Sequence, residues 1–223
     1  MAVRNARARS ARRAEPLKDR IYRTLKRDLL HGTLAPGTLL LEATLAERYR
    51  VSKTPVREAL ALLQKDRLVE VVPRRGYFVG KLSLKDIQDI YFLRRLLEPA
   101  ATELAARLVT AAELADLDAV LALGPLDLNT PAFVEANARF HGLIARASRN
   151  DRLATLIDWL SDQMHLVGRH GYVLPARAEE VYAQHMELLA ALRAHDARQA
   201  AAVMERHIEY TRRFFFADRG EGM

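Results

Sequence analysis

Ser52-Lys53-Thr54-Pro55-Val56-Arg57-Glu58-Ala59-Leu60 reads, from its own chemistry, as the opening of a helix. Ser52 or Thr54 can cap orphan backbone N–H groups, and Pro55 suits a first turn, where its missing N–H costs little. Val56, Ala59, Leu60 and Leu63 recur at i, i+3, i+4 and i+7 and make one apolar face. Lys53, Thr54, Arg57 and Gln64 fall on the other. Cations and hydroxyls at a helix start, turned away from a core, suit end-first entry into the DNA major groove. An ordinary amphipathic surface helix carries the same pattern, and this stretch alone does not separate the two.

The flanking sequence does more. Upstream, Leu17, Ile21, Leu25 and Leu29 mark a helix ended by Gly32. A short helix from about Glu42 to Arg50 follows, carrying Leu45, Ala46 and Tyr49. The few residues between it and the next helix match the spacing of a helix-turn-helix. Downstream, Val69-Glu70-Val71-Val72 and Tyr77-Phe78-Val79 read as two short strands joined by Pro73-Arg74-Arg75-Gly76, with Gly76 available for a positive φ. A helix, a helix-turn-helix and a hairpin tipped by two arginines describe a winged helix.

Charge divides the chain at the same place. Residues 1–81 hold 19 Lys and Arg against 8 Asp and Glu, while the remainder holds 16 against 20. A basic module joined to a mildly acidic one is the footprint of a protein whose first domain meets nucleic-acid phosphate. The chain's 223 residues, half of them hydrophobic, can bury a real core. It has no cysteine, which excludes disulfides and thiolate metal sites. No apolar run approaches the roughly 18 residues of a membrane span. Arg4, Arg7, Arg9, Arg12 and Arg13 precede any acid and lack the apolar segment of a signal peptide. Residues 1–15 therefore read as a disordered basic tail, which can also touch DNA phosphate.

From Leu82 onward the pattern is helical throughout. Ser83 with Asp86, and Thr110 with Glu113, are N-cap pairs opening two helices, the first running to about Leu108 with a bend near Pro99. Thr130-Pro131 opens a third, ending near Ser148, and Asn150 a fourth that reaches about His170. Pro175 precedes a fifth, and Asp196 caps a sixth to about Ala217. Six helices with short connections predict an antiparallel bundle.

Polar residues recur on the inward faces of that bundle. Asn137 and His141 stack at i, i+4 on the third helix, in a stripe with Val134 and Ile144. His185 shares a face with Leu188 and Leu192, and His207 one with Val203, Tyr210 and Phe214. Each neutral buried imidazole needs a partner. A shared divalent metal satisfies all three together, whereas three separately satisfied core histidines are the plainer alternative. On the first bundle helix Arg94 and Glu98 lie either in an exposed i, i+4 pair or on an inward face with Ile87, Ile90 and Tyr91. Trp159 reads as core, and nothing separates His165 and His170 from solvent-facing residues.

Two resemblances join these features. From about Leu17 to Gly80, the pattern Pro36-Gly37, Leu41-Glu42, Leu45-Ala46, Ser52 to Leu60 and Arg74-Arg75-Gly76 resembles the winged helix of the GntR family of bacterial transcriptional regulators. The resemblance implies DNA contacts by Ser52, Lys53, Thr54 and Arg57 in the major groove and by Arg75 and Gly76 from the wing. Lys53 stands where the family usually has arginine, and it offers guanine a point charge without the planar fork. From about Ser83 to Phe216, Asn137, Phe140-His141, His185 and His207 resemble the FCD domain of the FadR-type regulators, in its smaller six-helix, VanR-like form. That similarity implies a divalent metal, zinc or nickel, held by Asn137, His141, His185 and His207, and a carboxylate effector bound by Arg94. Asn137 occupies the usual aspartate place, so the site brings one negative charge fewer.

The expected fold is mainly α, a winged helix-turn-helix over residues 16–80 followed by an all-α antiparallel bundle over 81–223. The expected function is a cytoplasmic, homodimeric regulator, not an enzyme, that binds a palindromic double-stranded operator and answers to a small organic acid. Two other classes remain open on sequence. A metallohydrolase can use the same histidines, although no carboxylate is spaced as a general base as in HExxH. An architectural DNA binder explains the charge but leaves the inward histidines without a purpose.

Overall fold

Periodic apolar residues build two cores, and the computed structural model describes them over residues 15–126, 130–168 and 178–217. The tail expected over residues 1–15 lies, apart from Glu15, outside the described residues, as do Pro175 and the end expected near His170.

The first core gathers Ile21, Leu25 and Leu29 of α1 (Leu17–Leu30), Leu45 of α2 (Glu42–Tyr49) and the Val56, Ala59, Leu60, Leu63 face of α3 (Lys53–Lys65). Fully burying each such aliphatic side chain contributes about 1.5–3 kcal/mol, enough to fix three short helices that would be marginal alone. Leu17, expected on that face, is exposed at the frayed start of α1. Arg50 closes α2 in the left-handed region at φ 53°, and Val51 N–H bonds back to the Ala46 carbonyl at 3.0 Å. Ser52 sits at the N-cap of α3 in extended conformation, but neither it nor Thr54 makes the expected side-chain cap bond to that helix.

The wing is a three-stranded antiparallel sheet of order β1-β3-β2. β2 (Val69–Val72) and β3 (Gly76–Val79) pair in the expected hairpin, from Val69 opposite Val79 to Val72 opposite Gly76. β1 (Leu39–Leu40), pairing with Phe78 and Tyr77, is a strand that sequence reading missed, because two residues show no alternation. The hairpin also needs more than Gly76. Arg75 N–H bonds to the Val72 carbonyl at 3.0 Å, and Arg74 as well as Gly76 takes positive φ, 63° and 109°. At Gly80 an added Cβ would stand 3.1 Å from the Arg67 carbonyl oxygen, so the chain leaves the wing through a gap that fits glycine.

The second core lies among six helices: α4 (Leu84–Leu108), α5 (Ala111–Leu121), α6 (Pro131–Ala147), α7 (Asp151–Gly168), α8 (Ala178–Arg193) and α9 (Ala197–Ala217). Both expected capping boxes form, Ser83 with Asp86 and Thr110 with Glu113. Thr130, Asn150 and Asp196 each accept a backbone N–H at the start of the next helix. α4 runs unbroken across Pro99. It packs along α9 and against α6, α7 and α8, burying Ile87, Tyr91, Phe140, Ile144, Leu188 and Val203.

The two cores meet along α7. Leu166 is buried among the N-terminal core residues, and Lys26 of α1 pairs with Asp162. Trp159 is half-buried here rather than core. Its indole N–H and the Gln163 amide both donate to the Asp66 carbonyl at the C-cap of α3, at 3.1 and 2.7 Å. A substitution pair reads out this junction. Gln163→Met together with Trp159→Phe should leave the carbonyl without either donor and cost about 1–3 kcal/mol in urea unfolding. Equal stability in that double variant would mean the junction does not rest on Asp66.

Candidate functional site

Two sets of functional side chains stand on this scaffold. The first is the free face of α3 and the wing. Ser52, Lys53, Thr54 and Arg57 are all exposed, because their positions alternate with the buried Val56, Ala59 and Leu60. Arg57 does not project alone: its guanidinium donates twice to Glu42 at the start of α2, at 3.0 and 2.8 Å. Those hydrogen bonds hold the Glu42 carboxyl below its usual range. Glu42 is a neighbour that sequence reading missed, since it lies fifteen positions upstream on another helix. Arg75 is exposed at the hairpin tip, its guanidinium 5.5 Å above the Phe78 ring. Gly76, half-buried beside it, lets the strand start.

The second set lies inside the bundle. α6 contributes His141, α8 His185 and α9 His207, all buried, with potential ligand nitrogens within 4.8 Å of one another. Their rings stand 4.7–5.4 Å apart, and Phe140 stacks on His185 at 4.5 Å. Burial pushes His185 and His207 well below the ordinary histidine range, helped by the neighbouring imidazoles, so both are neutral at pH 7. Among the described residues, the Nε2 atoms of His141 and His185 have no hydrogen-bond partner. Gln184 accepts from His207 Nδ1 at 2.9 Å, which leaves that ring's Nε2 as the one bearing the lone pair.

Glu98 and Arg94 complete the cluster from α4. Glu98 Oε2 lies 2.6 Å from His141 Nδ1, and its Oε1 accepts from Arg94 Nε at 2.6 Å. Burial alone would raise the Glu98 pKa, but Arg94 and His141 hold it down at about 2. An ionised carboxylate only accepts, so His141 Nδ1 donates, and in a neutral ring that leaves the lone pair on Nε2, toward the other histidines. The exposed-pair alternative for Arg94 and Glu98 is therefore corrected: the pair forms, but 7% and 3% exposed, with the guanidinium over the Tyr91 ring. A carboxylate does stand beside the histidines, which their spacing in sequence concealed. It faces Nδ1 and is occupied by Arg94, so it is not placed as a general base.

Asn137 lies one turn before His141, half-buried, and lines a cavity of about 30 Å³ together with Phe140, Tyr182 and His185. That space is about one water. The donor set suits a divalent ion: three imidazoles, of which His185 and His207 are neutral, two orphaned buried nitrogens and second partners that fix two of the rings. Glu98→Gln tests the electrostatics directly. It leaves the buried Arg94 charge without its partner and should cost about 3–5 kcal/mol in urea unfolding. A variant as stable as the parent would show that Arg94 reaches water without Glu98.

Comparison with known proteins agrees with this architecture. Residues 17–79 match the gntR family of bacterial regulatory proteins, and residues 89–210 match the FCD domain. The HTH-type transcriptional repressor RspR of Escherichia coli K12 is 28% identical over 198 residues, 87% of each chain. The HTH-type transcriptional repressor GlaR of the same organism is 29% identical over 205 residues, 84% of this chain and 90% of that one. Among solved structures, E. coli McbR/YncC superposes with a TM-score of 0.78 at 26% identity, covering 92% of this chain and 99% of its own.

Proposed function

The chain belongs to the GntR family of bacterial regulatory proteins, carries an FCD domain and is a DNA-binding transcriptional regulator; we propose that it is a metabolite-responsive repressor acting as a homodimer in the cytoplasm. One observation carries the responsive part: three buried, neutral or carboxylate-tethered histidines converge behind a basic reading head. Residues 16–80 are that head and residues 81–223 the effector and dimerisation unit. RspR and GlaR are named repressors, which supports the same sign of control here.

Ser52, Lys53, Thr54 and Arg57 meet the major groove, and Arg75 with Gly76 enters the adjacent minor groove. Glu42 holds the Arg57 guanidinium extended until guanine or phosphate replaces it. Dimerisation uses the outer face of α4 and α7, where Phe92, Leu96 and Leu156 are exposed. Exposed apolar side chains grouped on two neighbouring helices support an interface, and a two-fold pair of heads reads a palindrome. His141, His185 and His207, with the Asn137 amide oxygen, would hold a divalent zinc or nickel ion. Such an ion supplies open coordination positions for a carboxylate oxygen. Arg94, already beside Glu98, is the second anchor for that acid group. An organic acid exceeds the 30 Å³ now open next to His185, so its entry requires the lining side chains of α6 and α8 to move.

Arg57→Ala should weaken binding to a genomic palindrome by about 1–3 kcal/mol and relax its sequence preference, with Arg75→Ala weakening it too. Fluorescence anisotropy checks both, and parental affinity in the two variants would remove this face from DNA. Protein purified without added metal should carry a divalent ion that His185→Ala/His207→Ala lacks. Adding zinc or nickel should raise the melting temperature of the parent alone. Negligible metal in both, with no shift on addition, would leave the histidines as core residues.

A further inference from the structure

A larger cavity than the one beside the histidines lies between the reading head and the bundle. It encloses about 290 Å³, at the lower end of small-molecule sites. Its walls are α1, through Arg23, Arg27 and His31; α6, through Val134 and Ala138; and α7, through His165. Lys26 and Leu30 extend the first wall, and Glu135 is the one carboxylate among the described lining residues. Three permanent cations thus face a single acid around an apolar floor.

The ion pairs nearby show which cation is least compensated. Lys26 is tied to Asp162, and Arg23 to Glu15. Among the described residues Arg27 reaches only Asp28, at 3.9 Å, and that carboxylate is already held by Arg48 at 3.0 Å. Its guanidinium therefore keeps most of its donors for something else.

We propose that this cavity is a second ligand site, taking a small organic anion whose charged group is held by Arg27 and His31 and whose apolar body rests on Leu30, Val134 and Ala138. Val134 lines this cavity rather than the one that holds Asn137, although sequence periodicity puts the two on one stripe of α6. A ligand here bridges α1 of the reading head to the helix that carries His141. It strengthens the same junction that Trp159 and Gln163 hold at Asp66. It then shifts DNA affinity by the ratio of its own affinities for the docked and undocked arrangements. The proposal does not depend on a metal at the histidines.

The probes are 4-fluorobenzoate and its neutral counterpart 4-fluorobenzamide, titrated against the full chain and followed by ¹⁹F NMR. The carboxylate should bind in the millimolar range or tighter, and about tenfold better than the amide. Arg27→Ala/His31→Ala should lose that preference, and Ala138→Phe, which fills the cavity, should lose binding. Arg27→Ala/His31→Ala should keep the parental melting temperature, since Arg27 and His31 are exposed, and the melting temperature of Ala138→Phe, at a half-buried position, is measured alongside to confirm that the variant is folded. With both proteins stripped of metal by chelator, His185→Ala/His207→Ala should bind as the parent does, which separates this site from the histidine cluster. No binding by the parent, equal binding of acid and amide, or loss in the histidine variant with none in Arg27→Ala/His31→Ala would each overturn the proposal.

Discussion

A carboxylate inside a helical bundle has to be paired, and the position of Glu98 organises what surrounds it. Moving an ionised group out of water costs several kcal/mol unless charge and hydrogen bonds offset it. Glu98 obtains both, from Arg94 one turn away on its own helix and from His141 on α6. The first pair is local and forms wherever α4 forms. The second is not: it exists only when α4 and α6 meet in one register. The carboxylate thus ties a packing geometry to a tautomer, turning the Nε2 of His141 toward His185 and His207. Phe140, fully buried and stacked on His185, holds the second ring in the same way from the apolar side. The cluster is therefore preorganised by its surroundings before any ligand is considered.

The second structural constraint is the carbonyl of Asp66. The last turn of α3 leaves its carbonyls without helical partners, and here two of the donors come from α7 of the bundle. α3 is thus held at its C-terminal end by the bundle and presents its N-terminal end, uncapped by Ser52, to the outside. A shift of α7 moves the reading helix at its base. The buried Leu166 and the Lys26–Asp162 pair extend the grip to α1. Any ligand that favours one placement of α7 changes DNA affinity in proportion to its preference, and a tenfold change needs only about 1.4 kcal/mol.

What sequence revealed and what it hid divide along one physical line. Apolar periods of 3.6 residues, the Ser83–Asp86 and Thr110–Glu113 boxes, and the hairpin before Gly76 are local, and each was readable. The inward placement of His141, His185 and His207 was also readable, because each shares a face with leucine, valine or isoleucine. Most of the unreadable features join residues distant in the chain. Glu98 finds His141 across 43 positions, and Trp159 finds Asp66 across 93. Arg57 finds Glu42 on another helix, and β1 is a strand only because β3 lies beside it. Arg74 takes a left-handed φ with no glycine to announce it, since the turn is set by the pairing of Val72 with Gly76. Local chemistry specifies elements and faces, whereas partners depend on packing.

The histidines carry the strongest energetic argument for a ligand. A buried nitrogen without a hydrogen bond costs about 1–3 kcal/mol, and here His141 and His185 each leave one. Leucine or phenylalanine at those positions would fill a bundle core without that cost, and residues of this kind surround them on every helix. Protonation offers no relief, because burial disfavours the charged form of His185 and His207 and each charge would repel the next. A group that accepts lone pairs from several rings at once offsets the deficit, and a divalent cation does so without adding a donor. Asn137 suits the same role more weakly than an aspartate, since its oxygen ligates without charge. With Glu98 already neutralised by Arg94, the net charge around a bound dication stays positive. A field of that sign would favour an anionic ligand over a neutral one.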